Sequence, residues 1–135
     1  MKRLILLFTL LPFFVSAQLT YVPDDAFEAY LETHTSAGWG TVPVGDPNSL
    51  GNGIANDNYV TTAKISGLTS LDVSIGFSGG SIADLTGIED FIALTHLECS
   101  ENQLTNLDLI SNAALSILEC SENQLTNLDL ISNAA

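Results

Sequence analysis

The sequence predicts an α/β solenoid made mostly of short parallel strands and closed at its N-terminal end by a helical cap. The segment LECSENQLTNLDLISNAA occupies residues 97–114 and recurs unchanged at 118–135, an offset of 21 residues. A repeat of this length is one structural unit, which buries its apolar side chains only by stacking on copies of itself. With 46% hydrophobic and 14% charged residues among 135, the chain has the composition of a folded protein.

Residues 1–17 have the features of a secretory signal peptide. Two basic residues precede an apolar run at 4–15, and small residues then lead to Ala17 as the cleavage site. A transmembrane anchor needs about 20 apolar residues, whereas this run is shorter and contains Pro12. We therefore predict that the protein is secreted or placed at the cell surface, and that it has no transmembrane segment.

Residues 18–60 are predicted to form the helical cap and a loop that follows it. Asp24 suits the N-cap position of a helix, because its side chain can accept hydrogen bonds from the first free N–H groups. Phe27, Tyr30 and Leu31 then lie on one face of that helix. This face is expected to cover the open end of the first repeat, and the Gly-, Pro-, Asn- and Asp-rich remainder is expected to be irregular.

The repeats are predicted to occupy residues 61–135, as a divergent first unit followed by units at 94–114 and 115–135. Each of the two regular units carries the pattern L-x-x-L-x-C-x-x-N-x-L-x-x-L, which is the signature of a leucine-rich repeat. The alternation around Leu97 and Cys99 is typical of a short strand with these side chains inward. Asn102 ends the strand, where its side chain can bond the backbone of the turn. Stacking then places each inward residue over its counterpart in the next unit.

A second frame of the same form lies within each unit. Residues 104–112 repeat the spacing of the strand half, with leucines at the same intervals and a final asparagine. No window here is apolar at helical spacing, so this side is predicted to be extended or to form a short 3₁₀ helix. The upstream segment 68–73 also fits the frame, and we assign it to the second half of the divergent repeat.

The chain resembles the secreted leucine-rich repeat proteins of Bacteroidota, which are similar to internalin-type repeats. The segments that carry the resemblance are YVPDDAFEAYLE, GNGIANDNYVTTAKISGLTSLDVS and IADLTGIEDFIALTHLECSENQLTNLDL. The resemblance implies an extracellular or cell-surface protein that binds other macromolecules, often exported by a C-terminal sorting domain of the type IX secretion system. The sequence stops at Ala135 on a repeat boundary, without such a domain. We therefore expect a fragment, and the alternative is a short complete protein closed by dimerisation.

The charge of the chain indicates the class of partner. There are 16 acidic and three basic residues, a formal net charge of −13, which disfavours nucleic acid and anionic membranes as partners. We predict that the outward side chains of the strands form a concave acidic face, which binds a protein partner that is basic or bridged by cations. The residues predicted to contact this partner are His96, Glu98, Ser100, Glu101, Ile117, Glu119, Ser121 and Glu122.

Cys99 and Cys120 are interpreted as buried thiols. Each fills an inward apolar position, where a free cysteine behaves as a small hydrophobic residue; the alternative in an exported protein is a disulfide bond. His96 and Cys99 point to opposite faces of a strand and cannot form a nucleophilic pair. The sequence contains no zinc-binding spacing, phosphate-binding glycine loop or nucleophile elbow. We predict that the protein is not an enzyme.

Calcium is the one cofactor that the sequence brings into consideration. Asp46, Asn48 and Gly51 match positions 1, 3 and 6 of an EF-hand-like loop, and Asp57 matches position 12. The alternative is an ordinary Asn- and Asp-rich loop without a metal. We therefore predict that the protein is a recognition module. The two alternatives are a calcium-binding protein and a purely structural extracellular repeat without a specific partner.

Overall fold

The computed structural model of the chain describes residues 17–38, 40–74, 81–128, 130 and 133. Nearly all of the predicted signal peptide, residues 1–16, lies outside the described residues. The strands, in chain order, are β1 (Leu19–Tyr21), β2 (Tyr59–Thr61), β3 (Ser70–Asp72), β4 (His96–Glu98) and β5 (Ile117–Glu119). The helices are α1 (Asp25–Thr33), α2 (Thr62–Ile65) and a 3₁₀ turn (Ile88–Asp90).

Strands β3, β4 and β5 form one parallel sheet, with β4 in the middle. Leu71 pairs with Leu97 and Leu97 pairs with Leu118, so the two regular units lie in the register that their 21-residue offset predicts. The backbone pairing continues beyond the strands, where Cys99 N donates to Glu119 O over 2.8 Å. Leu97 and Cys99 are both fully buried, which confirms the predicted inward positions.

Segment 68–73 belongs to the strand half of its repeat, so its assignment to the second half is wrong. Its central residues form β3, and Val73 N donates to Glu98 O over 2.8 Å. Val73 therefore occupies the position that Cys99 has in the next repeat, and it is equally buried. Both halves of a unit share the spacing L-x-x-L-x-apolar, and only the pairing of backbone groups distinguishes them.

The segments that follow the strands of the repeats are extended, as predicted, in the described residues 81–95 and 99–116. In the described residues 81–95 and 99–116, regular helical structure is limited to the 3₁₀ turn. Leu104, Leu107 and Leu109 point inward and are buried. The core is therefore filled by apolar side chains from both halves of each repeat, and no amphipathic helix is needed to cover the sheet.

Asn102 connects consecutive repeats, a role beyond the local turn bond that the sequence predicts. Its Nδ2 donates to Cys99 O within the repeat over 3.1 Å and to Val73 O of the preceding repeat over 2.9 Å. Its Oδ1 accepts a hydrogen bond from Ile82 N over 2.9 Å. Asn123 repeats the arrangement one unit later. The amide of Asn102 is buried and that of Asn123 is half-buried. Both satisfy backbone groups on the two sides of the boundary between repeats.

The helix predicted within residues 18–60 is α1, and Asp24 occupies its N-cap position. Asp24 Oδ1 accepts from Ala26 N and Phe27 N, both over 3.0 Å. The Oδ2 atom of the same carboxylate accepts from two backbone N–H groups of the first repeat, over 2.9 and 3.1 Å. The Phe27 ring stacks on that of Phe91 in this repeat, with the centroids 6.2 Å apart. One carboxylate and one aromatic pair therefore hold α1 against the repeats.

The antiparallel pairing of β1 with β2 is a feature that the sequence does not predict. Each strand has three residues, which is too short to show a clear alternation of apolar and polar side chains. Thr20 of β1 donates to Asp90 Oδ2 over 2.6 Å and so links the pair to the first repeat. Gly87 has φ +103°, and a Cβ there would lie 2.8 Å from Tyr21 O. This close approach requires glycine.

Helix α1 also buries two carboxylates, Glu28 and Glu32, which are 1% and 0% exposed. Glu32 accepts hydrogen bonds from Asn52 N and Gly53 N, and Glu28 accepts them from the backbone at 57–58. Burial raises the pKa of Glu28, and the two backbone hydrogen bonds counteract that effect in part. The irregular loop after α1 is thus attached to the helix by buried carboxylates.

Candidate recognition surface

The outward side chains of β3, β4 and β5 form two rows across the sheet, and we call this surface the strand face. The two rows are Ser70, His96 and Ile117, and Asp72, Glu98 and Glu119. All six side chains are half-buried or exposed. Neighbouring strands lie about 4.8 Å apart, so the second row sets three carboxylates side by side.

Glu98 is the central carboxylate of the acidic row. Its Oε1 accepts a hydrogen bond from Ser100 N over 2.9 Å. Partial burial acts to raise its pKa, but the hydrogen bonds from Ser100, a hydrogen bond with the Glu119 carboxyl group and the nearby His96 together outweigh burial, so the pKa is lowered. Glu98 therefore carries a negative charge at neutral pH.

The remaining residues that the sequence predicts as partner contacts lie just beyond the strands. Ser121 Oγ donates to Ser100 Oγ over 3.1 Å, so these side chains are adjacent. Glu101 and Glu122 occupy the turns that follow, with left-handed φ values of 58° and 52°, and both are exposed. The structure thus arranges the eight predicted residues as equivalent pairs in two neighbouring repeats.

A groove extends the strand face toward the cap. It has a volume of about 310 Å³ and lies between the acidic row and the segment 35–38, which follows α1. Asp72, Glu98 and Glu119 line the groove together with Tyr30 of the helix. The cap therefore contributes directly to the surface that the strands present.

Two residues of this groove, Asp72 and Tyr30, are absent from the set predicted from sequence. A signal for Asp72 exists: when segment 68–73 is aligned with the strand half of the next repeat, Asp72 coincides with Glu98. Tyr30 has no comparable signal. It is predicted as a core residue of the cap helix, and only the packing of that helix beside β3 brings it to the groove.

Tyr30 lies where the cap meets the strand face. Its side chain is 3% exposed, and its ring stacks on that of His34 with the centroids 4.0 Å apart. His34 Nδ1 lies 2.9 Å from Tyr30 O, within hydrogen-bonding distance. Burial and the nearby charge of Asp72 raise the pKa of Tyr30 to about 12, so its hydroxyl is protonated at neutral pH and available as a donor.

Cys99 and Cys120 occupy the same inward position in adjacent repeats, and both are free cysteines. Burial raises the pKa of Cys99 to about 12, with smaller contributions from Cys120 and Glu98. Burial also raises the pKa of Cys120. The thiolate is the reactive form of cysteine, so both side chains are held in their unreactive form.

We expect Cys99 of the folded protein to resist an aromatic disulfide reagent at pH 8, because a pKa of about 12 leaves only about one thiol in ten thousand ionised. Cys120, which is half-buried, should react faster than Cys99 but more slowly than in the denatured chain. In denaturant without reductant, two thiols per chain should titrate. A lower titre that reductant restores to two would reveal a disulfide bond and contradict this assignment.

The residues predicted to bind calcium make other contacts in the structure. Asp46 Oδ1 accepts from Asn48 N over 2.8 Å and from Asn48 Nδ2 over 3.1 Å. Asp57 accepts through one carboxylate oxygen from Asn52 Nδ2 and through the other from Tyr59 N, both over 2.9 Å. The described part of the chain contains no group of three or more His, Cys, Asp or Glu residues that could hold a metal ion. A calcium site at Asp46, Asn48 and Asp57 stays a prediction.

The helices of the described residues differ from membrane spans. None of them combines the length and the apolar character that crossing a bilayer requires.

Comparison with known proteins gives two similarities, although no family model matches the chain. Over 53 residues, or 39% of the chain, the sequence is 43% identical to internalin J of Listeria monocytogenes serotype 4b. A solved structure of the functional domain of internalin J, described as including a cysteine ladder, matches with a TM-score of 0.59 and 30% identity. That match covers 88% of this chain and 23% of the solved one.

The similarities support an internalin-like leucine-rich repeat protein, and the match to the solved structure supports a leucine-rich-repeat-like fold. The similarities are also consistent with a repeat module of the protein-interaction type. The chain spans a small part of its relatives, since the matched sequence is 5% of the length of internalin J.

Proposed function

We propose that this chain is part of a secreted or cell-surface recognition protein, which binds a protein partner through its acidic strand face and catalyses no reaction. In this proposal the repeats form a solenoid, and the strand face is its concave side. The observation that carries it is the in-register row of Asp72, Glu98 and Glu119 beside a groove. Lys64 is the one lysine or arginine among the described residues, so this row meets little internal counter-charge and presents a negative potential to a partner.

Three further features support the proposal. The similarity to an internalin favours a role in protein interaction. The signal-peptide features of residues 1–17 favour export. Stacked repeats present an extended surface, which suits contact with another macromolecule. No comparable observation in the described residues favours the calcium-binding or purely structural alternatives.

Charge reversal on the strand face tests this function. We expect the double variant Glu98→Lys, Glu119→Lys to lose about tenfold or more in affinity for any protein that the wild-type chain captures, because like charges then face the basic partner. The measurement is affinity capture from host or community extracts at low and high salt, followed by titration of each captured protein against both chains.

The matched control is the double variant Asp84→Lys, Asp108→Lys. These two acids are exposed and lie together beside a different groove, away from the strand face, and the change in net charge is the same. Capture should survive in this control. An equal loss of affinity in both variants would show that the effect comes from net charge and not from the strand face. Unchanged capture by the strand-face variant would refute the proposed surface.

A further inference from the structure

The groove between the cap and the strand face combines carboxylates with apolar side chains. Asp72, Glu98 and Glu119 contribute the carboxylates, and the buried residues Leu50 and Leu68 contribute apolar surface. Its volume of about 310 Å³ lies at the small end of the range for ligand pockets, which is about 300–1,000 Å³. The groove is therefore sized for a single long side chain of a partner and not for a folded element.

Tyr30 adds a donor to this groove that the protein leaves unused. The side chain is 3% exposed and lines the groove. Among the described residues, the hydrogen bonds at Tyr30 involve its backbone carbonyl and not its hydroxyl. The hydroxyl is not among the fully buried polar atoms that lack a partner in the described residues. It therefore faces the groove, where it is free to donate to a group that enters from outside.

The chemistry of the lining favours an organic cation. The acidic row has one carboxylate on each of three neighbouring strands, so the negative charges are spread along the sheet. The described residues offer no cluster of three side chains that could hold a metal ion. A guanidinium group is flat, carries five N–H donors and bonds two carboxylate oxygens at once, and its methylene stem packs on apolar surface.

We propose that this groove is a pocket for an arginine side chain of the partner protein, with the guanidinium on Asp72, Glu98 and Glu119 and the stem against Leu68. The proposal rests on the proposed recognition function and adds the residue type that is recognised. The Tyr30 hydroxyl binds at the edge of the site, as a donor to the backbone carbonyl of the bound residue.

The probe is the blocked tripeptide acetyl-Gly-Arg-Gly-amide, added to the isotope-labelled chain in an NMR titration. Shifts should concentrate on the amides of the groove, including Tyr30, Asp72 and Glu98. The same peptide with citrulline, which keeps the shape but has no charge, should shift them at least about tenfold more weakly, and the lysine peptide about threefold more weakly. Equal responses to arginine and citrulline would overturn the proposal, and equal responses to arginine and lysine would overturn the assignment to arginine.

Two conservative variants locate the site. Glu98→Gln keeps the oxygen that accepts from Ser100 N but removes the charge, and it should weaken arginine-peptide binding about fivefold or more. Tyr30→Phe removes a hydroxyl without an internal partner among the described residues, so the fold should be retained while binding weakens about two- to threefold. Glu122→Gln removes one charge from the exposed turn outside the groove and should leave binding unchanged.

The outcomes separate this inference from the proposed function. If arginine peptides fail to bind while protein capture still depends on Glu98 and Glu119, the pocket is refuted and the recognition surface stands. If the peptides bind in the groove while capture from extracts is insensitive to charge reversal, the groove binds arginine, but the proposed partner-binding face is refuted, and with it the assignment of that arginine to the captured partner.

Discussion

Asn102→Ala is expected to lower the free energy of unfolding by about 3 kcal/mol, because it leaves several buried backbone groups without a partner. The side chain is 6% exposed. It donates to carbonyl groups of Val73, Cys99 and Ser100 and accepts from the N–H group of Ile82. Each orphaned buried group costs about 1–3 kcal/mol, and alanine offers no replacement. Chemical denaturation followed by circular dichroism measures the loss.

The matched control is Asn106→Ala, in the same repeat. Asn106 is exposed, so its removal should change the free energy of unfolding by less than about 0.5 kcal/mol. Equal stabilities of the Asn102 and Asn106 variants would contradict the role of Asn102 between repeats. Asn102→Asp keeps an acceptor for Ile82 N but replaces the donor by a buried charge, and we expect it to be at least as destabilising as alanine.

Glu32→Ala is expected to lower the free energy of unfolding by about 2 kcal/mol. The carboxylate is fully buried and accepts hydrogen bonds from Asn52 N and Gly53 N. Its removal leaves those N–H groups unpaired and opens a space between α1 and the loop, while the cost of burying a charge disappears. We expect the first effect to exceed the second because, among the described residues, Asn52 N and Gly53 N donate to Glu32 alone. Thermal and chemical denaturation measure the difference.

Glu32→Gln separates the hydrogen bonds from the packing. Glutamine fills the same space but has a single acceptor oxygen. Its amide NH₂ group then faces a backbone N–H group, and two donors cannot form a hydrogen bond. We expect a loss of about 1 kcal/mol or more from this variant. The control Asp25→Ala removes an exposed acid from the same helix and should cost less than about 1 kcal/mol. A stable Glu32→Gln variant would show that the space, and not the hydrogen bonds, determines the stability of the loop.

The repeat is the part of the fold that can be predicted from the amino-acid sequence alone. Eighteen residues recur unchanged at 118–135, which gives the offset of 21 residues. The positions of the leucines and cysteines indicate which side chains point inward. Both follow from local spacing, because side chains alternate along a strand and identical units stack in register. The N-cap at Asp24 and the buried face of α1 are predictable for the same reason.

Residues that act at a distance are less accessible to such reasoning. Glu28 and Glu32 stand in helical positions that are typical of exposed acids, and their burial depends on backbone groups of the loop that lie 20 to 30 residues later in the chain. Asn102 bonds Val73, which lies 29 residues earlier. In each case the partner is a backbone N–H or C=O group. Because nearly every residue has these groups, no residue type in the sequence identifies the partner.

The recognition surface likewise contains residues that the sequence predicts and residues that only the folded structure brings there. Glu98 and Glu119 belong to it because their repeat positions point outward, which spacing alone establishes. Asp72 joins them through parallel pairing of β3, and Tyr30 joins through the docking of α1 beside the sheet. Periodicity determines which way a side chain faces within its own repeat. Which surfaces then meet to make a groove depends on contacts between segments far apart in the chain, and these exist only in the folded protein.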